Sequence, residues 1–267
     1  MTKHIGIVSV NYEGTALCYR SICEEAASVM GEYRHPQITI HSFPLADYMR
    51  FVSRGDWEGV AGLLLESAKK VASAGADFAI CPANTTHEAF RFMRSRSPIP
   101  WLHIAEVVGD AAASRALSRL GILGTKFLME GNLYDEVLSE RGIEAVRPDQ
   151  NEREKINTLI FDELVKGILH NSTREFFRGV TSHLASNGCD AVVLGCTEIP
   201  LIIDGDYPLP WDEVMAVVNI GKVLEMKNIE FAMGPGSLPT QNSAPAPWGM
   251  RWLAQSSSRT PTPERRC

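Results

Sequence analysis

The chain is predicted to be an α/β protein built as two pseudo-symmetric domains, each a mostly parallel sheet flanked by helices, with a cleft between them. Three observations predict this. Apolar runs of four to six residues alternate with longer stretches of helical periodicity, the pattern of βαβ units. The segment His4-Ile5-Gly6-Ile7-Val8-Ser9-Val10 reads like Arg119-Leu120-Gly121-Ile122-Leu123-Gly124-Thr125, 115 residues later. The same offset separates two cysteines, Cys81 and Cys196, each placed where an apolar strand runs into a polar turn.

Taken in order, strands are expected near 4–10, 37–43, 77–81, 100–103, 119–124, 143–146 and 190–195, with a further one near 208–211. Helical spacing of apolar residues fills Gly14 to Met30, Trp57 to Ala74, Val107 to Leu120, Asn132 to Arg141, Glu152 to Leu169 and Arg174 to Asn187. Gly31, Gly75, Gly142 and Gly188 each stand just past one of these patterns, where a left-handed residue ends a helix. Ala74-Gly75-Ala76-Asp77 leading to Cys81 matches Asn187-Gly188-Cys189-Asp190 leading to Cys196, with two extra residues between Asp and Cys in the second copy. The first domain is therefore residues 1–105, completed by about 212–233, and the second is 106–211. From Gly234 to Cys267 the chain holds six of its fifteen prolines and no periodic apolar pattern, so 234–267 is read as an irregular, disordered tail.

Composition narrows the function. A formal charge of −6 lacks the basic excess that nucleic-acid binding requires. No apolar run reaches the roughly 18 residues of a membrane span, and the N-terminus lacks the apolar core of a signal peptide. Six cysteines without a CxxC pair argue against structural zinc and a disulfide scaffold. The expected partner is a small molecule, and the expected location is the cytoplasm. No glycine-rich dinucleotide or phosphate loop, pyridoxal-lysine signature or metal-spaced histidine pair appears, so no cofactor and no metal are expected.

A cysteine at the C-terminal end of a parallel strand lies where such sheets bind ligands. A helix beginning after it would lower the thiol pKa and attract a carboxylate. Two thiols delivered by related halves to opposite sides of a substrate suit a reaction that takes a proton from one face and returns one to the other, as racemisation and epimerisation do. Asn84, Thr85 and Thr197, just past the two cysteines, can hold a carboxylate or cap the following turn. Thr125, equivalent to Val10, is a plausible carboxylate contact, and Glu198 is either an acid supporting Cys196 or a first-turn carboxylate. His87 reads as a helix residue rather than a base. Cys18, Cys23 and Cys189 read as packing residues.

At Cys81-Pro82-Ala83-Asn84-Thr85 and Leu194-Gly195-Cys196-Thr197-Glu198-Ile199-Pro200 the chain resembles the aspartate/glutamate racemase superfamily, in particular its aspartate racemase-like amino-acid racemases. Further matches are Arg54-Gly55-Asp56-Trp57, Leu120 to Met129 and Ile160-Phe161-Asp162-Glu163-Leu164, in order over about residues 4–210. The resemblance implies cofactor-independent racemisation of aspartate or glutamate, with Cys81 and Cys196 as the two bases and Asn84, Thr85, Thr125 and Thr197 as carboxylate contacts. It makes Arg50 and Lys166 candidates for a side-chain carboxylate, and it implies a homodimer. Sister reactions remain open, namely dicarboxylate isomerisation or malonate decarboxylation, as does a catalytically silent amino-acid-binding protein. Two departures stand out: Ser9-Val10-Asn11-Tyr12-Glu13-Gly14-Thr15 replaces the family's glycine pair, and Trp211-Asp212-Glu213-Val214 replaces its Asp-Ser-Thr segment.

Overall fold

The strands fall into two sheets, each with the first of its strands in the middle. In the computed structural model, which describes residues 3–203, the first sheet contains β1 (Ile5–Ser9), β2 (Ile38–Ser42) and β3 (Phe78–Ile80) in the order β2-β1-β3. The second contains β4 (Arg119–Leu123), β5 (Glu144–Val146) and β6 (Ala191–Leu194) in the order β5-β4-β6. All pairings are parallel. Helices α1 (Tyr12–Met30), α2 (Leu45–Val52) and α3 (Trp57–Ser73) cross over in the first half. Short α4 (Phe90–Met93) and α5 (Ile104–Ser114) lead into the second, which carries α6 (Lys126–Glu130), α7 (Leu133–Ser139), α8 (Gln150–Asp162) and α9 (Asn171–Ser186).

Strand alternation gives each sheet two buried faces. Ile5, Ile7, Phe78 and Ile80 pack with Cys18 and Ile22 of α1, while Val8 and Ala79 pack with Val60, Leu64, Ala68 and Val71 of α3. In the second sheet Leu120 and Ile122 meet α5 and α7, and Leu123, Val192 and Leu194 meet α8 and α9. Gly6 and Gly121, again 115 apart, let a helix close on the central strand: a Cβ at Gly6 would come within 2.7 Å of Val71 Cγ2, and one at Gly121 within 2.7 Å of Leu184 Cδ1. The aspartates before β3 and β6 repeat as well. Asp77 Oδ2 accepts from His4 N at 2.6 Å, and Asp190 Oδ2 from Ser118 N at 2.6 Å and Arg119 N at 2.9 Å, so each clamps the start of its central strand.

Helix starts follow their caps. Asn11 accepts from Gly14 N at α1, Asp56 from Gly59 N at α3, and Asp149 with Glu152 forms a capping box at α8. Gly31, Gly75, Gly142 and Gly188 have φ of 98°, 96°, 70° and 80°, as their helix-ending positions require.

Several expectations need correction. The segment 100–103 is reduced to one parallel bridge between Ala79 and Trp101, because Pro98 and Pro100 have no N–H to give; Pro100 O only accepts, from Ala79 N. The helix expected from Val107 to Leu120 begins at Ile104 and stops at Ser114, since Arg119 and Leu120 are drawn into β4. Helix α2 was not expected, although Leu45, Tyr48, Met49 and Val52 follow helical spacing directly after Pro44. The expected strand at 208–211, the 212–233 return and the 234–267 tail lie outside the described residues.

Candidate active site

The two strand-end cysteines reach different depths because β6 continues past the point where β3 stops. Ile7 pairs with Ile80 in the first sheet, whereas in the second the ladder runs on to Leu123 and Leu194, with Gly195 N donating to Leu123 O at 2.7 Å. The two extra residues seen in the sequence thus carry Cys196 about 6–7 Å further along the strand direction than Cys81. Cys196 lines a cavity of about 220 Å³; Cys81, 3 % exposed, is absent from its wall and lies under its own turn.

That turn, Pro82 to Thr86, supplies one wall of the cavity. Cys81 Sγ lies 3.4 Å from Thr86 Oγ1, within hydrogen-bond reach, and the Thr86 hydroxyl also stands 3.0 Å from Ala83 O. Asn84 is buried. Its Oδ1 accepts from Tyr134 O–H at 2.6 Å across the halves, and its Nδ2 is buried without a partner. A buried amide donor of this kind normally marks a missing acceptor. Thr85 Oγ1 and Thr125 Oγ1 stand 3.3 Å apart, again across the halves. The Thr125 hydroxyl makes no cap hydrogen bond to α6, so it is not spent on the helix.

On the opposite side Cys196 S–H donates to Glu198 Oε2 at 2.9 Å, and Thr197 O–H donates to the same oxygen at 2.7 Å. Asn11, Tyr12 and Glu13 close this end from the start of α1. The approach is tight at Gly14, where a Cβ would come within 2.5 Å of Thr197 Cγ2 and 3.2 Å of Pro82 O. The remaining wall, from α2 and from the end of α8, is apolar apart from Tyr48, whose buried hydroxyl has no hydrogen-bond partner among the described residues.

The expected helices after the cysteines prove to be short 3₁₀ turns, Thr85–Ala89 and Ile199–Leu201, and the thiols are not acidified. Burial pushes the Cys81 thiol up to about 11 against an ordinary 9.0, only partly offset by Thr86 and the Ala83 backbone. Burial and then the Glu198 carboxylate raise Cys196 well above its ordinary value. Both are thiols at neutral pH.

Of the residues singled out from sequence, Cys196, Asn84, Thr85, Thr125 and Thr197 line one cavity. Arg50 and Lys166 do not. Arg50 is 74 % exposed beside Asp47, on the outer face of α2, and Lys166 is 58 % exposed beside Asp162. His87 is a buried helical residue held by Ala83 O at 2.9 Å, its imidazole kept neutral by burial and by His103. Thr86, Asn11, Tyr134 and the apolar wall were not anticipated; Thr86 was legible as the next hydroxyl in the Cys81 turn. Among the described residues, no three His, Cys, Asp or Glu side chains assemble a metal site, and no helix is long and apolar enough to cross a membrane.

Comparison with known proteins agrees with this architecture. The broad specificity amino-acid racemase RacX of Bacillus subtilis (strain 168) is 22 % identical over 182 residues, 68 % of this chain and 78 % of the relative. The crystal structure of PH1733, an aspartate racemase homologue from Pyrococcus horikoshii OT3, superimposes with a TM-score of 0.72 at 31 % identity, covering 85 % of this chain and 99 % of that one. The Gly74Cys mutant of arylmalonate decarboxylase shares the fold, at a TM-score of 0.51 and 12 % identity over 87 % of this chain and 97 % of that one. The sequence pattern of the Asp/Glu/Hydantoin racemase family matches residues 5–215, nearly the whole two-sheet body, and the chain belongs to that family.

Proposed function

We propose that the protein is an amino-acid racemase in which, without a cofactor, one of Cys81 and Cys196 takes the Cα proton and the other returns one to the opposite face. The observation that carries this reading is the Cys196–Glu198 pair on the wall of a cavity whose other side presents the unpartnered amide of Asn84. In one direction Cys196, its proton passed to Glu198, takes the Cα proton as the thiolate while the Cys81 thiol gives one to the opposite face; the reverse direction starts from the Cys81 thiolate that this leaves. One proton leaves the substrate and one returns, so the amino acid inverts with no net change in protonation. Glu198, accepting from Cys196 S–H, is placed to receive that proton when Cys196 must act as the base. Asn84 Nδ2 and the hydroxyls of Thr85 and Thr125 are donors for the substrate carboxylate, where negative charge accumulates as the Cα proton departs. Cys81 is covered by its turn, so this reaction requires the turn to move aside when substrate binds.

One observation favours a second reading. Cys81 is missing from the cavity wall, which suits a reaction that needs a single proton donor, such as decarboxylation of a 2-substituted malonate with protonation by Cys196. Proton NMR in D2O separates the two. For a racemase, the Cα–H signal of an L- or D-amino acid disappears as the enantiomer forms, and both Cys81→Ser and Cys196→Ser abolish this. For a decarboxylase, malonate carboxyl loss survives Cys81→Ser and stops with Cys196→Ser, and no amino acid exchanges.

A further inference from the structure

We infer that the side-chain end of the cavity selects amino acids with apolar side chains rather than aspartate or glutamate; the inference rests on the amino-acid racemase reading for the α-carbon end. The acidic substrates implied by sequence resemblance carry a second carboxylate, which a cation would hold most strongly. No Lys, Arg or His stands among the described residues lining the cavity, and the charged groups that do are the carboxylates of Glu13 and Glu198. They favour the α-ammonium group and oppose a second carboxylate. Arg50 and Lys166, the cations the resemblance offered, are exposed and paired with Asp47 and Asp162, and Lys126, between the lining residues Thr125 and Phe127, lies outside the lining with its ammonium 5.4 Å from the Phe127 ring centroid.

The apolar wall is built twice by the same topological device. The helix that follows the equivalent edge strand of each sheet supplies it: α2, after β2, contributes Leu45, Met49 and Val52, and α8, after β5, contributes Ile160 and Phe161, with Phe127 of α6 beside them. Leu45 and Phe161 remain 44 % and 39 % exposed, large side chains held at the cavity edge rather than in either core. Apolar surface concentrated in a concave site is characteristic of a ligand pocket. At about 220 Å³ the cavity is below the roughly 300–1,000 Å³ of drug-sized sites, a scale suited to one amino acid and not to a peptide or nucleotide. Placing an ionised carboxylate against such a wall forfeits its hydration without a compensating partner, whereas leucine, methionine or phenylalanine loses only apolar exposure there.

The test measures binding and exchange separately on the full chain. Affinities for L- and D-leucine, methionine, phenylalanine, aspartate and glutamate are read by calorimetry, and Cα exchange by NMR in D2O on the same samples. The apolar set is expected to bind at least about tenfold more tightly than the acidic pair. Leu45→Arg, which puts a guanidinium at the edge of the cavity, is expected to reduce or reverse that ratio by about tenfold; Phe161→Arg, on the facing wall, keeps the comparison available if the first variant does not fold. Equal or tighter binding of aspartate or glutamate, or no binding of any of the ten, overturns the selectivity. Tight apolar binding with no exchange keeps the selectivity and overturns the racemase reading instead.

Discussion

Cys196 and Cys81 differ in what surrounds the sulfur, and the difference predicts separate behaviour. Cys196 donates to a carboxylate that Thr197 also holds, so Glu198→Gln removes both the carboxylate that accepts the S–H hydrogen bond and the negative charge that raises the thiol. Turnover is expected to fall by about 10²-fold or more, while the alkaline limb of its pH profile moves to lower pH, because the thiol ionises more readily beside a neutral amide. A packing role for Glu198 would change stability without moving that limb. Cys81 has a folded pKa of about 11 against an ordinary 9.0, raised by burial. Its stabilising contribution is therefore complete below pH 9 and is lost as pH rises toward 11, an effect of at most about 3 kcal/mol. Across that window the melting temperature of the wild type should fall further than that of Cys81→Ser, and parallel decline of the two proteins would refute the assignment. These residues were legible because the chemistry is contiguous: Cys196, Thr197 and Glu198 adjoin in the chain, as do Cys81 to Thr86. Their pKa directions were not legible, since they depend on burial and on 3₁₀ turns standing where full helices were expected.

The elements that carry these residues are positioned by short-range rules and close contacts. Helix α8 brings Ile160 and Phe161 to the cavity from a start fixed by the Asp149–Glu152 capping box, with Glu152 N donating to Asp149 Oδ1 at 2.9 Å. Asp149→Ala should cost about 1 kcal/mol, a fall of roughly 2–4 °C in melting temperature, and leave the thiol chemistry in place. Gly14 is a harsher site. Its α1 turn touches Thr197 so closely that Gly14→Ala must displace Thr197 or Asn11, whose Oδ1 is 2.9 Å from the added Cβ. We expect a loss of about 1–3 kcal/mol together with weakened substrate binding, seen as a raised KM. Unchanged KM in Gly14→Ala would show that the α1 turn does not shape the site. Most long crossover helices and all six strands of the two sheets were readable from periodicity and glycine stops. Helix α2 escaped because eight residues make a brief signal and Pro44 offers no side-chain cap. The strand at 100–103 was overestimated because its apolar character survives while its prolines prevent a ladder.

At the scale of the whole molecule, the repeat visible as an offset of 115 residues appears as two sheets of identical strand order, two helix-admitting glycines and two strand-clamping aspartates. The sequence also contained the one asymmetry that matters, the two residues added before Cys196, though its effect on thiol depth follows only from the strand register. What joins the halves was not legible, because it consists of isolated contacts between distant segments. Tyr134 O–H reaches Asn84 Oδ1, Leu133 N donates to Glu88 Oε1 at 3.0 Å, and Thr85 meets Thr125. The first is buried and fixes which way the Asn84 amide turns, so it connects the placement of the halves to the buried amide donor on the cavity wall. Tyr134→Phe leaves Asn84 Oδ1 buried without a hydrogen bond, at a cost of about 1–3 kcal/mol, and allows the amide to reorient. If this bridge sets the carboxylate contact, Tyr134→Phe raises KM for the amino acid several-fold more than it lowers kcat, and Asn84→Ala in the same background adds little further. Fully additive losses in the double variant would instead make Tyr134 a core residue with no part in presenting Asn84.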